Sequence, residues 1–328
     1  MTRALITGGT GFVGANLARR LVRNGDDVHL LIRAAHHGWR IAAIQPEITL
    51  HTADLEDAAA VTRAVERIRP DWVFHLATHG AYSWQTDPCR IMSTNVMGTA
   101  NLVDACLRTG FAAFVNTGSS SEYGRKDHPP AEEEALEPNS HYAVAKASAT
   151  FLCRYTARTR NVRMPTLRLY SVYGAYEEPN RLLPSLIVHG LRGELPPLTD
   201  PDTARDFVYV DDVVDAYLLA ATRLGDDPGA IYNVGSGRQT SLRAVVELAR
   251  RTLEIAAEPV WGSMPNREWE TSVWVADTRK ISSQLGWQPA HTLDEGFRRT
   301  VEWLRRDRGL LEFYAERLAA APGHANRP

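Results

Sequence analysis

Tyr142 and Lys146 stand four residues apart just behind Asn139-Ser140, a start signal for a helix. At i and i+4 they share one helix face, one turn apart. An ammonium beside a phenol favours the phenolate and draws the tyrosine pKa toward physiological pH, which suits acid/base work. Upstream, the apolar run Phe111–Asn116 leads into Thr117-Gly118-Ser119-Ser120-Ser121-Glu122-Tyr123-Gly124, a cluster of hydroxyls at a strand's carboxyl end. A serine cluster is also what a plain turn looks like, and Tyr-x-x-x-Lys alone is common. Their succession gives them weight together.

The element that must position these groups begins at the N-terminus. Ala4-Leu5-Ile6 is a short apolar run that enters Thr7-Gly8-Gly9-Thr10-Gly11-Phe12-Val13-Gly14 and then a helix. Strand, glycine-rich turn and helix in that order are what a dinucleotide's pyrophosphate requires. Gly8 allows the sharp turn, Gly11 the close approach of backbone to phosphate, and Gly14 the packing of helix on sheet. Free N–H groups of Phe12 and Val13 then face the phosphates. The spacing is Gly-x-x-Gly-x-x-Gly. Trp72–Ala77 and Phe111–Asn116 read as nearly continuous apolar strands of a buried parallel sheet. The expected fold is α/β, a Rossmann doubly wound parallel sheet with a smaller C-terminal α/β domain.

Composition narrows the function. The chain has 328 residues, 44% hydrophobic and 23% charged, with a net charge of −2, which speaks against nucleic acid as the main partner. Three scattered cysteines form no metal spacing and suit a reducing compartment. No apolar run reaches membrane length, so a soluble cytoplasmic protein without a metal is expected.

Asp27–Ile32 reads as the second strand, at whose end an acidic residue would hold a ribose 2′-hydroxyl; Arg33 stands there instead. A guanidinium pairs with a 2′-phosphate, so the reading favours NADP(H) over NAD(H), against a solvated surface arginine. Asp54, followed by Leu55, is placed either at the adenine or as the cap of a helix over 55–69. The aromatic loop Thr78–Trp84, with Tyr82, is a candidate substrate wall, and Asn95 lies within a long helix over 88–109.

Thr7–Gly14, Asn95–Thr99, Ser119–Gly124, Tyr142–Lys146, Leu167–Gly174, Arg205–Asp212 and Leu285–Pro289 occur in an order that resembles the extended short-chain dehydrogenase/reductases. Within them the chain is similar to the nucleotide-sugar epimerase, dehydratase and 4-ketoreductase branch, over nearly its whole length. The resemblance implies that residues 1–170 bind NAD(P) and that 171–318 mainly bind a nucleotide-diphosphate sugar, with the chain returning to the first domain; the Pro, Gly, His and Asn of 319–328 read as a mobile tail. It makes Tyr142 the acid/base at the sugar C4 oxygen, Lys146 the holder of the nicotinamide ribose, and Ser119, with Ser120 as near alternative, the bridging hydroxyl. Cofactor contacts are implied at Gly8, Gly11, Phe12, Val13, Arg33, Asp54, Leu55, Leu76, Ala77, Thr78, Asn95, Tyr142, Lys146 and Tyr170. Substrate contacts are implied at Tyr82, Ser120, Ser121, Ser171 and Arg181, with Arg205 and Arg267 gripping the diphosphate. A homodimer through the helices near 88–109 and 140–159 is implied as well.

Three reactions share such a scaffold. Arg33 suits a 4-ketoreductase using NADPH on a nucleotide 4-keto-6-deoxyhexose, which is placed first. A 4-epimerase, which needs tightly held NAD, is second. A 4,6-dehydratase needs an extra acid and base directly after the bridging hydroxyl, where Ser120 and Ser121 stand and the carboxylate, Glu122, is one residue late. A cofactor-binding sensor without turnover is the reading outside the enzymes.

Overall fold

The computed structural model describes residues 1–82, 84–223, 225, 227–264 and 273–320. β1 (Arg3–Thr7) leads through the glycine turn into α1 (Phe12–Arg23), and β2 (Asp27–Ile32) and β3 (Ile48–Thr52) follow. Then come α2 (Ala58–Ile68), β4 (Trp72–His75), α3 (Pro88–Met92) and α4 (Gly98–Thr109). α3 and α4 are one continuous rod joined by a π-helical turn, Ser93–Met97, which takes the place of the plain helix expected over 88–109. β5 (Ala113–Ser119) precedes the long α5 (His141–Arg160) and β6 (Thr166–Leu169).

The chain then leaves the main sheet at Tyr170 for β7 (Ser171–Tyr173), α6 (Leu182–Gly190), β8 (Ala204–Tyr209) and α7 (Val210–Thr222). It returns for β9 (Ile231–Val234) and departs again through β10 (Gln239–Ser241), α8 (Leu242–Leu253), α9 (Arg279–Leu285), α10 (Leu293–Arg306) and α11 (Arg308–Ala319).

Seven strands form the main sheet in the order β3-β2-β1-β4-β5-β6-β9, all parallel. The order reverses between β1 and β4, and a crevice opens at such a switch point beyond the strands' carboxyl ends. That is where the glycine turn lies. Both faces are covered, which is why the central strands are apolar throughout. Leu17, Leu21, Val213, Tyr217 and Ile281 pack on one face, and Val61, Val65, Leu102, Cys106 and Cys153 on the other. A separate core of Leu183, Ile187, Val245, Phe297 and Tyr314 supports the three-stranded sheet β10-β8-β7.

One helix boundary moved. The helix expected from Leu55 begins at Ala58, capped by Asp57, whose carboxylate accepts from the Ala60 N–H at 2.9 Å. Asp54 closes a local turn instead, accepting from the Glu56 N–H at 3.1 Å. Both aspartates suit a cap, and the apolar stripe Val61, Val65, Ile68 selects the later one.

The late segment is pinned to the main sheet by Trp287, which is 2% exposed and donates its Nε1–H to the Asp212 carbonyl at 2.8 Å. The buried Asp212 carboxylate accepts from the N–H groups of Ala290 and His291 at 3.1 and 3.2 Å. Trp287→Ala leaves a cavity and an orphaned carbonyl, and is expected to cost about 3–5 kcal/mol. A urea midpoint unchanged from wild type would contradict this.

Candidate active site

The glycine turn is packed too closely to admit side chains at its first and last glycines. A Cβ on Gly8 would come within 2.6 Å of the Ala77 nitrogen and Leu76 carbonyl carbon, and one on Gly14 within 2.3 Å of the Gly8 oxygen. Gly8 also has φ 71°, where an L side chain is strained. α1 is capped by Gly11, with no side-chain cap and no acidic residue in its first turn. Its first N–H groups are thus left for an anion, at the positive end of the helix dipole. Phe12 and Val13 open that helix, and Leu76 and Ala77 form the facing wall. The residues present fit a dinucleotide's pyrophosphate.

Beyond β4 the walls are held by hydrogen bonds. His75 is clamped between the hydroxyls of Thr7 (2.7 Å) and Thr99 (2.8 Å). Burial, with the Lys146 charge adding to it, pushes its pKa down to about 3, so the ring stays neutral. Asn95, in the π-helical turn and 2% exposed, accepts from the His79 N–H at 2.8 Å and the Thr78 hydroxyl at 3.2 Å, and donates to the His79 carbonyl at 2.7 Å. Its amide therefore shapes the loop that carries Thr78. Gly98, one turn on, lets the helix close on Leu55, whose Cβ lies 2.9 Å from where a Gly98 Cβ would be.

The phenol of Tyr142 converges with the hydroxyls of Ser119 and Thr78, whose hydrogen bonds favour its ionised form, and with the Arg181 charge, which does the same. Burial is the larger effect and, with Glu122, raises the Tyr142 pKa above its ordinary value. The downward pull expected from Lys146 is outweighed here by burial, and Arg181 supplies a charge that favours the ionised phenol. Lys146 is itself buried, and that lowers its pKa, while Glu122 works in the opposite direction.

Ser119 caps a short 3-10 turn, Ser120–Tyr123, its hydroxyl accepting from the Ser121 N–H at 3.1 Å. Ser119 and Ser120 are buried and Ser121 half-buried. The serine cluster is thus a turn, and one that aims a hydroxyl at the phenol. Glu122, fully buried, accepts from the Ser119 N–H at 2.8 Å and pairs with Arg168 at 2.8 Å. Reading Glu122 as a displaced catalytic carboxylate missed this; Ser-x-x-Glu, the capping-box signature, was the available sign.

Around this centre Tyr82 stacks on Trp84 at 4.6 Å, and the Arg181 guanidinium lies 5.4 Å over the Tyr82 ring while donating to the Ala81 carbonyl. Tyr170, nearly buried, sits where the chain changes sheets, and its hydroxyl has no partner among the described residues. Ser171 begins β7, half-buried. Arg205 lies on β8, donating to the Ala204 carbonyl at 2.7 Å with Trp274 beneath its guanidinium. Arg267 lies outside the described residues. Sequence reasoning also missed Glu177, 6% exposed, among Arg40, Arg181 and Glu178.

Burial raises the Glu177 carboxyl from 4.5 to about 8. Between those values the folded chain retains a proton that the unfolded chain has released, so this group makes stability fall as pH rises across that window. Glu177→Gln removes the dependence. Its stability relative to wild type is expected to grow from pH 4.5 to about 8, as read by urea denaturation at a series of pH values; a constant difference would refute the assignment.

Residues 4–235 match the model of the NAD dependent epimerase/dehydratase family. A dTDP-glucose 4,6-dehydratase of Streptomyces griseus is 30% identical over 325 residues, covering 95% of this chain and 96% of the relative. Among solved structures, a UDP-glucose 4-epimerase from Thermotoga maritima with UDP-glucose is 29% identical, with a TM-score of 0.84 over 92% of this chain and 98% of that one. A Thermus thermophilus UDP-glucose 4-epimerase in complex with NAD is 27% identical, TM-score 0.82, covering 92% and 99%. DesIV, a dTDP-glucose 4,6-dehydratase from Streptomyces venezuelae with NAD and TYD bound, is 27% identical, TM-score 0.83, covering 95% and 99%. These NAD complexes overturn the preference for NADP(H) read from Arg33. The physical reason is plain: Arg33 is an exposed side chain beyond the end of β2, and one solvated guanidinium does not select a phosphate. Fold, glycine cradle and assembled hydroxyls agree with the match: the chain belongs to the NAD-dependent epimerase/dehydratase family, within the extended short-chain dehydrogenase/reductases.

Proposed function

We propose that this protein is a 4-epimerase of a nucleoside-diphosphate hexose that keeps NAD(H) bound through the cycle. The observation that carries this reading is the convergence of Ser119 and Tyr142 while the neighbouring carboxylate, Glu122, is buried and ion-paired. Bound NAD would supply the acceptor for the sugar C4 hydride and its reduced form the donor that returns it. Tyr142 accepts the C4 hydroxyl proton as that hydride leaves and returns a proton when the hydride comes back to the other face. Ser119 bridges the phenol and the C4 oxygen. Lys146 holds the nicotinamide ribose, Arg181 and Tyr82 face the sugar, and Arg205 meets the diphosphate. The ketoreductase preference leaned in part on NADPH, and that part of its ground is lost.

The curated relatives favour a second reading, a 4,6-dehydratase. Removal of the C5 proton and loss of the C6 hydroxyl require a base and an acid of their own. The places next to Ser119 hold two serines, and Glu122 is engaged with Arg168, which supports epimerisation over elimination.

The test is turnover of UDP-glucose and dTDP-glucose in deuterium oxide by the protein as purified. Epimerisation is expected to yield the C4 epimer without solvent deuterium on carbon, with NAD bound to the purified protein. Tyr142→Phe is expected to lower turnover by about 10²–10⁴-fold. A 4-keto-6-deoxy product carrying deuterium at C5 establishes the dehydratase, and reduction of a supplied nucleotide 4-keto-6-deoxyhexose with one reduced cofactor consumed per product establishes a reductase.

We also infer a homodimer through α3, α4 and α5. Met97, Phe151 and Tyr155 there are 58%, 53% and 68% exposed, an apolar patch that a second copy would cover. Phe151→Glu is expected to sediment as a monomer where wild type sediments as a dimer.

A further inference from the structure

We infer that Glu122 is the positioning residue of this site: its carboxylate ties the turn that presents Ser119 to the helix that carries Tyr142 and Lys146. The inference rests on the acid/base reading of those three residues. One carboxylate joins three elements. Its Oε1 accepts from the Ser119 N–H at 2.8 Å and from the Thr150 hydroxyl at 3.1 Å, and its Oε2 accepts from Arg168 Nε at 2.8 Å. Tyr142, Lys146 and Thr150 lie at i, i+4 and i+8 on one stripe of α5, so the Thr150 bond sets the height of that stripe against the end of β5.

Gly118 makes the arrangement possible, since a Cβ there would stand 2.8 Å from Glu122 Oε1. Arg168, 1% exposed, is held in turn, donating to the Tyr123 hydroxyl at 2.9 Å and the Glu132 carbonyl at 3.2 Å. Tyr123 donates onward to Asn233 at 2.7 Å, which anchors the clamp to β9.

A buried ion pair is a weak source of stability compared with apolar packing, because both charges are desolvated. What this one supplies is register between the two halves of the site. It also supplies charge. Tyr142 faces Glu122, Arg181 at the start of α6, the hydroxyls of Ser119 and Thr78, and Tyr217 of α7. Lys146 faces Glu122, Cys153 of its own helix and His75 at the end of β4. Glu122 is the negative charge common to both, and it favours the protonated form of each.

The test uses Glu122→Gln combined with Arg168→Met, which removes both charges of the pair, and separately Thr150→Val and Thr150→Ser. In the double variant kcat is expected to fall about 10–100-fold with KM little changed. The near-ultraviolet titration of Tyr142, taken as the difference from the same protein carrying Tyr142→Phe, is expected to move to lower pH. Thr150→Val is expected to lower kcat with the fold intact, and Thr150→Ser, which keeps the donor, to restore it. Folded variants with wild-type kcat and an unmoved Tyr142 titration would overturn the inference. Should Tyr142→Phe itself turn over normally, the acid/base reading falls, while the titration still judges the place of Glu122.

Discussion

The structure turns on a charge pair that water does not reach. Arg168 and Glu122 are 1% and 0% exposed in their side chains, and they join β6 to the end of β5 beneath the cleft. Neither charge could be buried alone, since each would lose its hydration without recompense. The donors Ser119 and Thr150, and the Tyr123 hydroxyl that accepts from Arg168 with Asn233 behind it, are therefore placed as much by the pair's needs as by their own. The crevice above inherits that order.

A second constraint runs through the centre of the sheet. β1 and β4 are neighbours only because the strand order reverses between them, and the reversal leaves their carboxyl ends without a crossing connection. The Gly8 turn packs directly on Leu76 and Ala77, so backbone approaches backbone where a dinucleotide would pass. His75 stays neutral between two threonine hydroxyls, and this keeps a second cation away from Lys146. The cleft is thereby arranged around few charges, each with a countering group nearby.

Much of this was legible along the chain. The glycines at 8, 11 and 14, the apolar central strands and the i, i+4 pair on α5 are local patterns, and local patterns report directly on backbone geometry and burial. The cap of α2 was misplaced because two aspartates stand three residues apart, and only packing chose between them. Arg33 misled for a related reason, since its meaning depends on what faces it across the cleft. Asn95 falls within the helix expected over 88–109, but its clamp on the Thr78 loop depends on a π-helical turn that no residue pattern announced.

The sequence alone determined the class of fold and the place of the glycine turn, and it singled out the candidate hydroxyl and amine groups, because each rests on spacing within one element or one turn. Only the tertiary structure decided what Glu122 does and which cation acts on Tyr142. Glu122 meets Thr150 and Arg168 across 28 and 46 residues of chain, and such contacts exist only after the sheet has closed. The same closure half-buries Tyr142 and brings the Arg181 charge to bear on it from the start of α6, an influence that its spacing from Lys146 does not announce. Proximity along a helix can be read from spacing. Electrostatics in a buried site is set by depth and by partners from distant segments.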